Sequence, residues 1–230
     1  MKERTFYAAV GNFYRKKDDM GRSYPVVIVN QKEYQVDIQE MTVWTALCWR
    51  VMDFQELEKK YDQLASGQGA PRRTLEFCLE RLQTRGLVAS GTGKSDFDAI
   101  YNLLDELYVV PVSEHLILRI ATFLKLILFR NVSSRRAWVL FHRDRRSKRE
   151  RQVMALSRQA LLSTAELIKC VEDGIEDVST DEKLLGALYG DADITSDNLP
   201  YLMRNAEHQV PVTLAIANLY LRKQIILERL

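Results

Sequence analysis

Cysteine is scarce: Cys48, Cys78 and Cys170 are the only three in 230 residues, widely spaced and outside any CxxC or Cys/His grouping. An odd, dispersed set supports neither a disulfide framework nor a structural zinc site. Cys48 and Cys78 fall at apolar helical positions, where a thiol packs as a small hydrophobe. The usage points to a reducing compartment. Histidine is equally sparse, and His115, His142 and His208 have no metal partner nearby in sequence. No Ser, His and Asp arrangement has a nucleophile context, so neither catalysis nor a metal or cofactor is expected. Long apolar runs are missing too. HLILRIATFLKLILF is interrupted by Arg119 and Lys125, and VPVTLAIANLYL is too short to span a bilayer. The opening MKERTFYAAVGNFYRKKDD lacks a secretory apolar stretch. A cytoplasmic, soluble chain with no membrane partner is expected, and no internal repeat or low-complexity segment stands out.

What is present is an ordinary globular balance, with 47% hydrophobic and 28% charged residues. The length allows one large domain or two modest ones. Net charge is only +2, but basic residues crowd between Arg130 and Arg158 and acids between Glu172 and Asp197. That asymmetry gives either a positive face or two stretches that pair with each other, within the chain or across a dimer.

Tyr24 to Asn30 is β-branched and is followed by KEYQV after a polar turn, which predicts a small sheet. Asp37 with Glu40 makes a capping-box pattern ahead of a helix carrying Met41, Trp44, Leu47, Cys48 and Val51 at helical spacing. Asp53 caps a second helix with Phe54, Leu57, Tyr61 and Leu64 inward. SGQGAP is a turn, and a third helix runs from Pro71 to Gly86 with Leu75, Cys78, Leu79 and Leu82 inward. LVAS then reads as a strand and GTGKS as a flexible glycine-rich tip. Beyond it the pattern predicts helices at Phe97 to Val110, Ser113 to Phe129, Trp138 to Phe141, Glu150 to Ala160, Ala165 to Glu172 (capped by Ser163), Lys183 to Tyr189, and Pro211 to the end.

Two motif-like stretches miss their signature residues. GTGKS would need a glycine where Val88 stands to be a phosphate loop. Asp191 to Asp197 begins like a calcium loop but has Ser196 at the glycine position and Leu202 at the glutamate position.

The polar face of the third helix carries the functional expectation. Arg72, Arg73 and Thr74 open it, with Arg81 and Arg85 further on, and Lys94 lies in the glycine-rich tip. Guanidinium groups and a hydroxyl at a helix start can reach phosphate or guanine. Arg145, Arg146 and Lys148, in the densest basic stretch, could neutralise further phosphates. Glu76 and Glu80 on the same helix allow the plainer reading of solvated surface charge.

The stretch from IVNQKEYQVDIQEMTVWTALCWRVMDFQELEKKYDQL through TLEFCLERLQTRGLV resembles the winged-helix superfamily of bacterial transcriptional regulators. It is also similar to PqqD-like domains, in which a small sheet precedes three helices. The first resemblance implies a regulator that contacts double-stranded DNA with its third helix and works as a homodimer. The second implies a non-catalytic adaptor that takes a peptide or protein segment by strand addition, with Pro25 to Asn30 as the open edge. Both cover roughly the first 95 residues. The expected fold is mainly α (α+β): a winged helix with a small antiparallel sheet over residues 1–95, then an all-helical domain over residues 96–230 for dimerisation or partner binding.

Overall fold

A computed structural model describes residues 3–65, 73–112, 145–191 and 193–230. Among them the chain is mixed α+β, with three small antiparallel sheets. The first unit holds β1 (Arg4–Ala9), β2 (Asn12–Lys17), β3 (Ser23–Val29), β4 (Lys32–Gln35), α1 (Ile38–Leu47), β5 (Met52–Asp53), α2 (Phe54–Ala65), α3 (Leu75–Thr84) and β6 (Val88–Gly93). Then come α4 (Asp96–Leu104) and β7 (Tyr108–Pro111). After residues 113–144 follow α5 (Lys148–Ser157), β8 (Leu162–Ser163), α6 (Thr164–Glu172), α7 (Asp181–Tyr189), α8 (Leu199–Leu202), a 3-10 turn (Met203–Asn205), α9 (Gln209–Leu221) and β9 (Ile225–Glu228). No helix among the described residues is long and apolar enough to cross a membrane. The helices expected at Ser113 to Phe129 and Trp138 to Phe141 lie outside them.

Local chemistry explains most boundaries. Asn30 (φ 47°) and Gln31 (φ 60°) form a two-residue left-handed turn, the geometry that matches the twist of a tight hairpin, and it joins β3 to β4. Capping boxes start α1 (Asp37 with Glu40), α4 (Ser95 with Asp98), α5 (Ser147 with Glu150) and α6 (Ser163 with Glu166). The glycine-rich segment is not a free tip, contrary to expectation. β6 runs through Gly93, which pairs with Arg4 of β1. A Cβ on Gly91 would come within 2.2 Å of Leu103 N, and one on Gly93 within 2.4 Å of Ala99 N. The glycines are there because α4 lies directly on the strand.

The C-terminal half is not all-helical. Val109, Val110 and the IILE run are apolar stretches too short for periodicity to separate strand from helix, and both are strands. They form the sheet β8-β7-β9, which matches β5-β1-β6 in order and in antiparallel sense. The registers correspond as well. Met52 and Asp53 oppose Tyr7 and Phe6, as Leu162 and Ser163 oppose Val109 and Tyr108; Val88 opposes Ala9, as Ile225 opposes Pro111. The helices follow suit. Buried Glu40 and Glu150 close capping boxes on the first helix of each unit, and Arg85 and Arg222 hold the C-cap of α3 and α9. A positive-φ residue follows each arginine, Gly86 (70°) and Lys223 (60°). The chain therefore repeats one structural frame twice, a repeat that the residue pattern does not announce. The sheet β2-β3-β4 lies between β1 and α1 of the first unit.

One buried hydroxyl joins the two units. Tyr220 on α9 donates toward Ala9 O and Leu47 O, each at 3.1 Å, and accepts from Trp49 N at 3.1 Å. Trp49 Nε1 returns a bond to Ile225 O at 3.2 Å. Burial pushes the Tyr220 phenol well above its usual range, so it stays protonated as a donor. Tyr220→Phe takes this partner from Ala9 O and Trp49 N, while Leu47 O keeps the Arg50 N–H at 2.9 Å. The expected cost is about 2–3 kcal/mol in urea-melt stability, roughly the penalty for unmet buried polar groups.

Candidate functional site

The α3 face forms from the N-cap outward. The Thr74 hydroxyl accepts from Phe77 N, and Arg73 N donates to Gln39 Oε1 at 2.9 Å. The guanidinium of Arg73 pairs with Asp37. Arg81 and Arg85 both reach Glu40, at 2.6 and 2.8 Å, and that carboxylate is 1% exposed. Arg85 also donates to Gln35 O at 3.0 Å. Phe77, 46% exposed, stands between the Arg73 and Arg81 guanidiniums at 5.5 and 5.7 Å. Burial alone would raise the Glu40 carboxyl. The Asp37 N–H and the Arg85 and Arg81 side chains outweigh it and hold Glu40 below the usual range.

The expected DNA-contacting residues thus fall in three places. Arg73, Arg81 and Arg85 are brought together, but around two carboxylates of their own chain. Lys94 is exposed between β6 and α4, away from any glycine tip. Arg145 and Lys148 are exposed at the start of α5, while Arg146 donates to Gln224 Oε1 at 2.5 Å. Arg72 lies outside the described residues. The three tied arginines act chemically as a clamp from α3 onto the start of α1. Because Glu40 has a folded pKa below its unfolded value, the clamp stabilises above the ordinary carboxylate range and is lost as pH falls through the folded value. Glu40→Gln should lower stability at pH 7 by about 2–4 kcal/mol, read by urea melts, with the deficit shrinking toward pH 3.

The second surface is the sheet β2-β3-β4. The Pro25 to Asn30 strand, expected as its open edge, is the central strand, with β2 and β4 at the edges. Antiparallel alternation decides which backbone groups face out. The two-residue turn makes Val29 and Lys32 the closing hydrogen-bonded pair, so Val27 and Val29 bond β4 while Val26 and Ile28 bond β2. Glu33 and Gln35 then face out from β4, and Phe13, Arg15 and Lys17 face out from β2. Arg85 already occupies the Gln35 carbonyl. Arg15 lies opposite Pro25, which has no N–H to offer. Phe13 is 40% exposed, with its ring 6.1 Å from Trp44. On the other face of β2, Tyr14 and Lys16 bond Glu33 at 2.5 and 2.7 Å.

Further polar groups gather in the second unit. Tyr189 donates to Glu166 at 2.7 Å beside a 470 Å³ cleft that also meets Asp105 and Arg229. Burial, then the neighbouring Glu106 carboxylate, push Asp105 up to about 6. Glu172, Glu207 and His208 come close enough for their ligand atoms to share an ion. Glu172, however, already accepts from Glu207 N, His208 N and His208 Nδ1 at 3.3, 2.9 and 3.0 Å, which fixes the start of α9. Thirty-five positions separate Glu172 from Glu207, so sequence proximity gives no sign of it. The three thiols are packing groups: burial raises Cys48 to about 11, Cys170 to about 12, and Cys78 as well. Among the described residues of the calcium-loop-like stretch, the Asn198 side chain donates to Asp193 O at 2.7 Å.

A carboxyl raised by folding favours the native state most below its unfolded value and loses that benefit as pH rises through about 6. Asp105→Asn should therefore be more stable than the parent at pH 8, by about 1 kcal/mol after solvent screening, and equal to it near pH 4. Thermal melts across that range check it. No known protein family matches the chain, and no curated protein or solved structure is detectably similar to it.

Proposed function

We propose that this chain is a non-catalytic adaptor that binds an extended segment of a protein partner along the free edge of β2. The observation that carries it is the outward row of Arg15 and Lys17 backbone groups on β2, beside Phe13, whose N–H already donates to Asn12 Oδ1 at 2.8 Å, set against a β4 edge where Arg85 occupies the Gln35 carbonyl. Strand addition supplies affinity through main-chain hydrogen bonds and specificity through alternate side chains. Arg15 and Lys17 make an acidic segment the favoured addition, and the basic edge also discourages self-pairing.

The first unit runs helix, short strand, two helices and strand, an order compatible with a winged helix, and the second adds α7, α8 and the 3-10 turn before α9; in both the strand ahead of the first helix is central in its sheet. Such a frame serves protein or DNA partners equally well. The DNA reading is the weaker one because Arg73, Arg81 and Arg85 already face Asp37 and Glu40. Direct groove contact would require giving up those pairs.

Panning a random 12-residue display library against the full chain tests the proposal. Arg15→Pro removes an outward N–H without breaking a ladder bond to β3, since Arg15 opposes Pro25 at a non-hydrogen-bonded position. Enriched peptides should lose at least tenfold affinity for Arg15→Pro, much less for Arg15→Ala, which removes the charge but keeps the N–H, and none for Arg85→Ala. Equal binding to Arg15→Pro would sink the edge reading. Salt-sensitive binding of a random 24-base-pair duplex, abolished by Arg73→Ala with Arg81→Ala, would restore the DNA reading in its place.

A further inference from the structure

A group of cations without a carboxylate partner lies at the end of α1 and on α2. Arg50 follows α1, and Lys59 and Lys60 lie on the outer side of α2. Together they border a shallow 430 Å³ cleft whose floor includes Val51, Met52 and Leu221. Among the described residues none of the three pairs with a carboxylate. The one acid at the cleft, Glu56, is turned to the start of α2, where its carboxylate accepts from Asp53 N. Leu221, at the end of α9, is 49% exposed there. The cleft therefore spans the two units.

Its geometry is fixed at the join between them. Trp49 is held at φ 55° by the Tyr220 hydroxyl and Ile225 O, which sets the direction of Arg50 next to it. Lys223 lies over the Trp49 ring at 5.5 Å, adding a fourth positive group beside the same turn. The repeated frame supplies an internal comparison. Counting from the matched capping boxes, Arg50, Lys59 and Lys60 correspond to Ala160, Lys169 and Cys170. Cys170 is buried, and Lys169 is paired with Asp173 at 2.8 Å. The frame folds without free cations at these positions, so their presence in the first unit is not a structural requirement.

We propose that this cleft is a second docking site, taking an acidic segment of a protein partner that places an apolar side chain on Val51, Met52 and Leu221. Three unpaired cations around an apolar floor complement carboxylates flanking a Leu, Met or Phe. A nucleic-acid backbone would use the cations but leave the apolar floor without a partner. The site is separate from the β2 edge and does not depend on it.

The probe is a display library of 12-residue peptides, each holding at least three Asp or Glu, panned against full-length protein carrying Arg15→Pro so that the β2 edge is silent. Enriched peptides should combine paired carboxylates with one large apolar residue. Their affinity, followed by quenching of the adjacent Trp49 or by anisotropy, should fall at least tenfold with Lys59→Glu plus Lys60→Glu. It should fall similarly with Arg50→Glu, a variant on a different element that guards against a local folding defect. It should weaken several-fold between 50 and 300 mM salt and be unchanged by Lys169→Glu. No enrichment, or affinity indifferent to both cleft variants, overturns the site. A 24-base-pair duplex that binds in place of the peptides, and is lost in the same variants, overturns the assignment of a protein segment in favour of nucleic acid.

Discussion

The Tyr220 hydroxyl is the constraint on which the arrangement of the two units depends. It lies at the end of α9 and satisfies backbone groups from the end of β1, the end of α1 and the turn after it. These segments are close neighbours in space and more than 170 residues from Tyr220 in sequence. An apolar ring would fill the same volume but take the side-chain partner from the Ala9 carbonyl and the Trp49 N–H, which is the costlier half of losing a hydrogen bond. The same contact keeps a bulky residue, Trp49, in the left-handed region, where most side chains are disfavoured. Local strain of that kind persists only where surrounding structure fixes it. Here the fixing structure belongs to the other unit, so the turn that bears Arg50 has its shape only in the assembled chain.

Within each unit a second polar device recurs. A glutamate at the third position of the first helix bonds its own N-cap N–H and also meets an arginine from the C-cap of the unit's last helix. Glu40 meets Arg85, and Glu150 meets Arg222 at 3.2 Å. Both carboxylates are almost fully buried, 1% and 3% exposed at the side chain, so removing either partner would leave a charge uncompensated. The device adds a polar lock between the first and last helices of the unit to the apolar packing beneath it. It also consumes the arginines that look most available on a helical wheel.

What the sequence shows and what it hides divide along that line. Capping boxes are local, three residues apart, and Asp37 with Glu40, Asp53 with Glu56 and Ser163 with Glu166 are legible from residue order alone. The hairpin of β3 and β4 is legible for the same reason. β1, β7 and β9 are not, because a short apolar run becomes a strand only when a distant partner is found. β1 pairs with β6 across more than eighty residues. The central place of Pro25 in its sheet depends on β2, whose NFYRKK composition does not look like a strand that others would join. The repeat is hidden because it survives in backbone-determining positions, such as caps and positive-φ turns, while the core side chains between them differ.

Charge shows the same division most sharply. The 33 basic and 31 acidic residues nearly cancel, so no count decides where a partner would be drawn. By residue type alone α3 is the more attractive helix, with Arg73, Arg81 and Arg85 on or beside it. α2 carries Lys59 and Lys60 among several acids and invites no reading. Geometry reverses the order. The α3 arginines are held against Asp37 and Glu40, whereas the lysines of α2 and Arg50 border an apolar floor without an ion-pair partner, the carboxylate of Glu56 there being turned to Asp53 N. A cation engaged with a buried carboxylate adds little net field outside, because the pair is close to a dipole and its effect falls off quickly with distance. An unpaired cation next to apolar surface keeps its full charge and sits where water screens it less. The surface most able to attract an acidic partner is therefore the one whose basic residues have no buried carboxylate, and only their positions relative to Glu40 and Leu221 reveal it.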